Sequence, residues 1–205
     1  MTVLAVRDVS LRAGGGPSYL AAARRLSDAL ADGPGRHELC VAVADDDPDR
    51  VLVLARWDAP AAFESAIARL PPALMDALES LERAIADPPW HWYRIEHEIQ
   101  DMGARPTYVV AVQFRLPDLD RPDVRSWMDA MMEGTARLPG VASVARLSPL
   151  RSVDPVLVVL QYAAPDTARG VQELLAKLPP PLPLSDWARF AGRIDLHWDR
   201  GDPSG

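Results

Sequence analysis

Hydrophobic positions along the chain change period several times, and each change marks a new element. Residues Thr2 to Leu11 form a β-branched run of strand character, and Tyr108 to Leu116 form another. A helical pattern follows each, over Tyr19 to Ala31 and over Val124 to Arg137. In the second of these, Val124, Trp127, Met128, Met131, Thr135 and Leu138 recur at steps of mostly three and four, the signature of one buried helix face. Pro17 and Pro122 lie near the two starts, where a missing N–H does no harm. Gly33 to Gly35 and Pro139-Gly140 end the two helices. Two strands joined by an Asp/Pro turn come next: Glu38 to Ala44 with Val51 to Trp57, and Ser143 to Leu147 with Val156 to Tyr162. A further helix begins near Ala61 or Thr167, breaks at a Pro-Pro pair, and resumes over Leu74 to Ile85 or Ser185 to Phe190. Last strands are expected at Trp92 to Ile99 and Arg193 to Trp198.

The succession occurs twice because the sequence does. "VLVLARWDAP" (51–60) lies on "VLVVLQYAAP" (156–165), "FESAIARLPP" (63–72) on "VQELLAKLPP" (171–180), "VLAV" (3–6) on "VVAV" (109–112) and "RIEHE" (94–98) on "RIDLH" (193–197). Four matches in the same order indicate a duplication. The fold class is therefore α+β: two β-α-β-β-α-β, ferredoxin-like repeats over residues 1–100 and 106–200, with 100–106 as connector. A sheet covered by helices on one face leaves the other apolar. Two repeats in one chain can shield those faces mutually.

Composition trims the list of functions. Net charge is −7 and the pI about 5.1, with Lys177 the only lysine, so no basic stripe is available for a nucleic-acid backbone. Cys40 is the only cysteine, which removes an intrachain disulfide and a Cys-rich zinc site. The N-terminus lacks the pattern of a signal peptide, and no apolar run is long enough for a membrane helix, so a cytoplasmic protein is expected, with no membrane partner.

The stretch "DDDPDRVLVLARWDAPAAFESAI" (45–67) resembles the antibiotic biosynthesis monooxygenase-like family of dimeric α+β barrel proteins: an Asp/Pro hairpin, an apolar strand ending in Trp plus Asp, then a helix with Ala-Phe. The resemblance covers most of the first half, and the second half follows by repeat with Tyr162 in place of Trp57. It implies a pseudo-dimeric barrel in one chain and a tailoring oxygenase of bacterial secondary metabolism. Such an enzyme acts on a polycyclic aromatic, polyketide-type substrate by phenol deprotonation and reaction with O2. Oxidation is direct or uses reduced flavin from a separate flavin reductase. A cyclase or aromatase of the same fold, or a metabolite-binding protein without turnover, are the alternatives. The chain contains no asparagine, although oxygenases and haem degraders of this family usually place one on the first strand. Asp8 or Arg7 is the nearest polar substitute. Where haem degraders carry a histidine this chain has Ile67, so haem is not expected; nor is a metal, since His91 and His97, six strand residues or about 20 Å apart, are too distant to share one.

Candidate chemistry centres on "WHWYRIEHE" (90–98), where alternation gives His91, Tyr93, Ile95 and His97 one face. His97, beside Tyr93, reads as a general base or acid in a pocket roofed by helices, with Asp8 as a further candidate base. The alternative for His97 is a core imidazole bonded to a backbone carbonyl. Trp57 and Trp92 read as flat walls for an aromatic ligand, or as core. Arg56 points to the opposite sheet face from Trp57, for an ion pair or a phenolate. Trp127 and Met131 offer soft surface to a large flat ligand, or fill the core of their helix. "AGGGPS" (13–18) lacks the spacing of a phosphate loop.

Overall fold

In the computed structural model, residues 2–30, 33–80, 90–100, 105–114, 121–151, 155–163, 167–181 and 189–199 are described. The elements follow in the order β1 (Val3–Ser10), α1 (Gly16–Leu30), β2 (Arg36–Ala44), β3 (Arg50–Trp57), α2 (Pro60–Ile67), α3 (Pro72–Glu79), β4 (His91–Gln100), β5 (Tyr108–Phe114), α4 (Pro122–Ala136), β6 (Val141–Pro149), β7 (Val156–Tyr162), α5 (Thr167–Lys177) and β8 (Arg189–Asp199). Hydrogen bonding runs β1-β3-β2-β8-β5-β7-β6-β4 as a closed barrel, so the chain is α+β with two β-α-β-β-α-β halves. Contacts divide it into two compact units, Met1–Arg94 with Gly192–Gly205, and Ile95–Ala191.

Within the first unit the antiparallel register sorts the side chains. Val3 faces Trp57, Ala5 faces Ala55, Arg7 faces Val53 and Val9 faces Val51. Paired residues share a face, and this one meets Tyr19, Ala22, Ala23 and Leu30 of α1 and Phe63 and Ala66 of α2 in the main core. The opposite face carries Leu4 with Arg56, Val6 with Leu54, and Asp8 with Leu52. β2 continues the sheet, and β8 adds to β2 with a register shift at Val41/Ala42. In the second unit Met132 of α4 packs on Val141, Val144, Leu160 and Tyr162.

Matching devices build the two halves. After α1 and after α4 the chain turns through Gly35 and Gly140, with φ of +82° and +79°, a conformation that side chains disfavour. Their carbonyls accept from Asp58 N and Ala163 N at 2.7 Å each, tying the turn to the end of β3 or β7. Both β2 and β6 then carry a bulge at the same place, between Arg36 and Glu38 and between Val141 and Ser143. Two expectations change. The helix expected over 74–85 is described as Pro72–Glu79, Ser80 is already a turn, and residues 81–85 lie outside the described residues. Of the helix expected over 185–190, residues 185–188 also lie outside, while Arg189 and Phe190 already belong to β8.

Candidate functional site

One face of α1 presents Tyr19, Ala23, Leu26 and Leu30 to the sheet, at steps of three and four. Beneath it β3 contributes Val53, Ala55 and Trp57, β2 contributes Leu39 and Val41, and small Ala55 and Ala23 leave a gap that large residues around them do not close. The result is a cavity of about 100 Å³. Phe63 and Ile67 of α2, Met75 of α3, and Trp90 just ahead of β4 complete the wall.

Aromatic rings pack there edge to face. Phe63 meets Trp57 at 5.5 Å and 81°, Trp90 at 5.1 Å and 63°, and Trp92 at 5.3 Å and 74° between centroids. This geometry suits the ring quadrupoles. Trp57 is 1% exposed, and its Nε1–H has no partner among the described residues. An indole N–H buried beside a cavity without an acceptor is an unmet demand of roughly 1–3 kcal/mol.

Two arginines border the same cavity. Arg7 on β1 holds its guanidinium carbon 5.9 Å from the centre of the Trp90 ring, a cation–π contact. Arg36, at the start of β2, is 2% exposed. Its Nη atoms donate to the Ser27 carbonyl at 2.6 Å and the Ser27 hydroxyl at 2.8 Å. Burial pulls the Arg36 pKa down to about 10, partly offset by Asp28. No Asp, Glu or His occurs among the described lining residues.

The residues singled out in the sequence are distributed unevenly. Trp57 lines the cavity, and Trp92 supports it through Phe63. Asp8 does not reach it: Asp8 lies on the opposite sheet face, where its carboxylate accepts from Arg50 Nε at 3.0 Å and Nη2 at 2.6 Å. That pairing raises the Arg50 pKa above its ordinary value. Tyr93 is 1% exposed and pairs with Leu4, so it too sits on the face away from α1. The expectation of a helix-roofed face over His91, Tyr93, Ile95 and His97 is corrected at Tyr93, because the side toward α1 belongs to Trp92, which pairs with Ala5. His97 is half-buried and falls in the second unit, outside this cavity. Arg56 lies on the far face, with Nε 3.4 Å from Glu38 Oε2, and Glu38 Oε1 is 3.4 Å from His197 Nε2. Trp127 and Met131 are half-buried in the second unit, where Trp127 Nε1 donates to the Leu178 carbonyl at 2.8 Å and ties α4 to the end of α5.

The sequence does not single out Tyr19, Arg36 or Trp90, and it offers Arg7, beside Asp8, only as a polar substitute for the missing asparagine. A signal for the arginines existed. Since Val3 and Tyr108 face Trp57 and Tyr162 in the same register, Arg7 corresponds to Val112, and Arg36 corresponds to Val141. A charge standing where the sister half has valine asks for an explanation.

No family model matches the sequence, and no curated protein matches it either. Solved structures do resemble it along almost its whole length. A candidate monooxygenase of Fusobacterium nucleatum superposes with a TM-score of 0.76 at 11% identity, covering 97% of this chain and 94% of that one. An anthrone oxidase-like protein gives 0.60 at 13% identity, covering 98% and 93%. A regulator of staphylococcal pathogenesis gives 0.56 at 10% identity, covering 94% and 97%. No described helix is long and apolar enough to cross a membrane. From end to end the chain shares the fold of these solved proteins, a single α+β barrel built from two β-α-β-β-α-β halves of one polypeptide.

Proposed function

We propose that the protein is an oxygenase that binds a phenol-bearing aromatic substrate in the first-half cavity and directs its oxidation by O2. The observation that carries this reading is the cavity itself: Trp57, Phe63 and Trp90 supply flat apolar walls, and Arg7 and Arg36 border it. The likeness to a candidate monooxygenase and an anthrone oxidase-like protein supports the reaction class.

In this reading positive charge, rather than a base, ionises the substrate. A guanidinium about 4 Å from a developing phenolate, at an effective dielectric near 20, contributes roughly 4 kcal/mol, or about three pKa units. A phenol of ordinary pKa about 10 is then substantially ionised near neutrality. The electron-rich phenolate passes one electron to O2, and the radical pair joins to form a C–O bond. Loss of water from the resulting hydroperoxide leaves a quinone. One oxygen atom enters the ring as a carbonyl and the other departs as water, so no external reductant is consumed. This route consumes no reduced flavin, and the cavity of about 100 Å³ is smaller than the roughly 300 Å³ or more of pockets that take larger ligands.

A metabolite-binding protein without turnover is the second reading. It is favoured by the missing carboxylate and imidazole in the described wall, and a regulator shares the fold. An oxygen electrode separates the two. The oxygenase consumes one O2 per phenolic substrate with no reductase present, and Trp57→Phe slows turnover. Binding with no O2 uptake supports the second reading. Product formation under strict anaerobiosis would indicate cyclisation instead.

A further inference from the structure

We infer that the first-half cavity selects a ligand with a single aromatic ring bearing an anionic oxygen group, phenolate or carboxylate. The inference rests on the reading above only in taking this cavity as the ligand site. Three independent observations converge on it.

Size comes first. A dry apolar cavity of roughly 150 Å³ admits benzene, and drug-sized ligands occupy roughly 300 Å³ or more. About 100 Å³ is on the scale of one ring and well short of three. The polycyclic substrate expected from the family resemblance is therefore replaced by a one-ring compound.

Charge comes second. Arg7 and Arg36 both border an otherwise apolar cavity whose described lining has no acidic side chain. Tyr19 is the remaining titratable group of that lining, and Asp28 is the acidic neighbour felt by Arg36. Burial already disfavours the Arg36 charge, and an anion in the cavity would relieve that penalty. The second half folds with Val112 and Val141 at the two corresponding positions, so the architecture does not require either cation.

The third observation is the aromatic wall: Trp57, Phe63 and Trp90 line the cavity, with rings packed edge to face. Flat aromatic walls beside two cations specify a ring that carries negative charge. Neutral hydrocarbons satisfy only the walls.

Full-length protein titrated with 4-nitrophenol tests this, because the ionised probe is coloured and the neutral one is not. Bound probe should ionise at a pH at least one unit below its solution value, and benzoate should compete, which extends the class from phenolates to carboxylates. Uncharged 4-nitrotoluene should bind at least tenfold more weakly, and a three-ring anthrone should fail to displace the probe. Arg7→Gln should cost 4-nitrophenolate about tenfold in affinity while leaving 4-nitrotoluene unchanged. Arg7 is half-buried, so this variant also covers the case in which replacing Arg36 unfolds the protein. Equal binding of 4-nitrotoluene and 4-nitrophenolate, or displacement by the anthrone, overturns the inference. Anionic one-ring binding without O2 uptake removes the oxygenase reading and leaves the inference intact, whereas O2 uptake with three-ring substrates alone does the reverse.

Discussion

The two halves share a backbone plan and differ in what they place on it. On the face toward α1, the first half has Val3, Arg7, Arg36 and Trp57 where the second has Tyr108, Val112, Val141 and Tyr162. Tyr108 and Tyr162 stack at 5.5 Å and 8°, whereas Val3 leaves Trp57 to lean on Phe63 and the cavity. On the other face an Arg56–Glu38 ion pair stands where the second half has a neutral bond, from Ser143 Oγ to Gln161 Oε1 at 2.8 Å. The helices differ too. Gly134 on α4 lies so near α5 that a Cβ there would come within 2.8 Å of Leu174. The shared register and bulges are what the fold needs, and the second half meets that need with uncharged residues at each position compared. The charges that the first half places beside its cavity carry a desolvation cost that the shared backbone plan does not require, and such costs point to function.

Truncating the residue common to core and cavity should have the largest effect. Trp57→Ala removes a side chain 1% exposed, and aromatic-to-alanine changes in a core cost about 3–5 kcal/mol. Denaturant unfolding measures it. A loss under about 1 kcal/mol would mean that Trp57 belongs to a loosely packed pocket wall and not to the core, and the contrast with the stacked tyrosines would need redrawing.

Much of this fold can be read in the sequence because duplication repeats the evidence. Period-2 runs, helix periods and glycine turns each occur twice, so one half checks the other. The site is less legible for a geometric reason. Placing "VLAV" (3–6) on "VVAV" (109–112) is off by one, since the observed register equates Val3 with Tyr108. A one-residue slip moves every side chain to the opposite face, and it hides the pairing of Arg7 with Val112. Tyr93 is misplaced for a related reason: alternation fixes which residues share a face without saying which face is covered. Arg36 follows "DGPG" and looks solvent-facing, yet its partner Ser27 lies across the turn on α1. That contact exists only in three dimensions.

The ion pair offers a way to break the comparison outright. Glu38→Gln leaves Arg56 facing a neutral partner at a site where the two side chains are 18% and 12% exposed. Removing one member of a buried pair costs up to about 3–5 kcal/mol, so a loss of about 2–3 kcal/mol is expected for this nearly buried one. Copying the second half with Glu38→Ser and Arg56→Gln together should return stability to within about 1 kcal/mol of the parent, since a neutral bond replaces the pair. A double variant as unstable as the single would show that the first half cannot accept its sister's chemistry.

A smaller effect is expected at Asp8. Its pair with Arg50 is about one-third exposed on both sides, and pairs so placed contribute about 0–1 kcal/mol. Asp8→Asn should therefore lower stability slightly and leave binding of 4-nitrophenol unchanged, because the carboxylate lies across the sheet from the cavity. A tenfold loss of probe affinity would return Asp8 to the site.

The smallest contrast lies at the helix starts. α4 carries Asp123 in its first turn, while α1 has no acidic residue there. Arg121 donates to Asp123 at 3.1 and 2.6 Å, and this bond, more than the charge or the backbone N–H groups, holds the carboxyl below its ordinary 3.8. A carboxyl whose folded pKa is depressed stabilises the fold above its unfolded pKa, and that support fades as pH falls through the folded value. Asp123→Asn should therefore melt slightly below the parent at neutral pH. The two melting curves should converge once the pH is below both values. Because the group is fully exposed, salt should shrink the neutral-pH difference as well. A difference that persisted in acid would trace to lost helix capping by geometry, not charge, and α1 and α4 would then differ in backbone entry rather than in electrostatics.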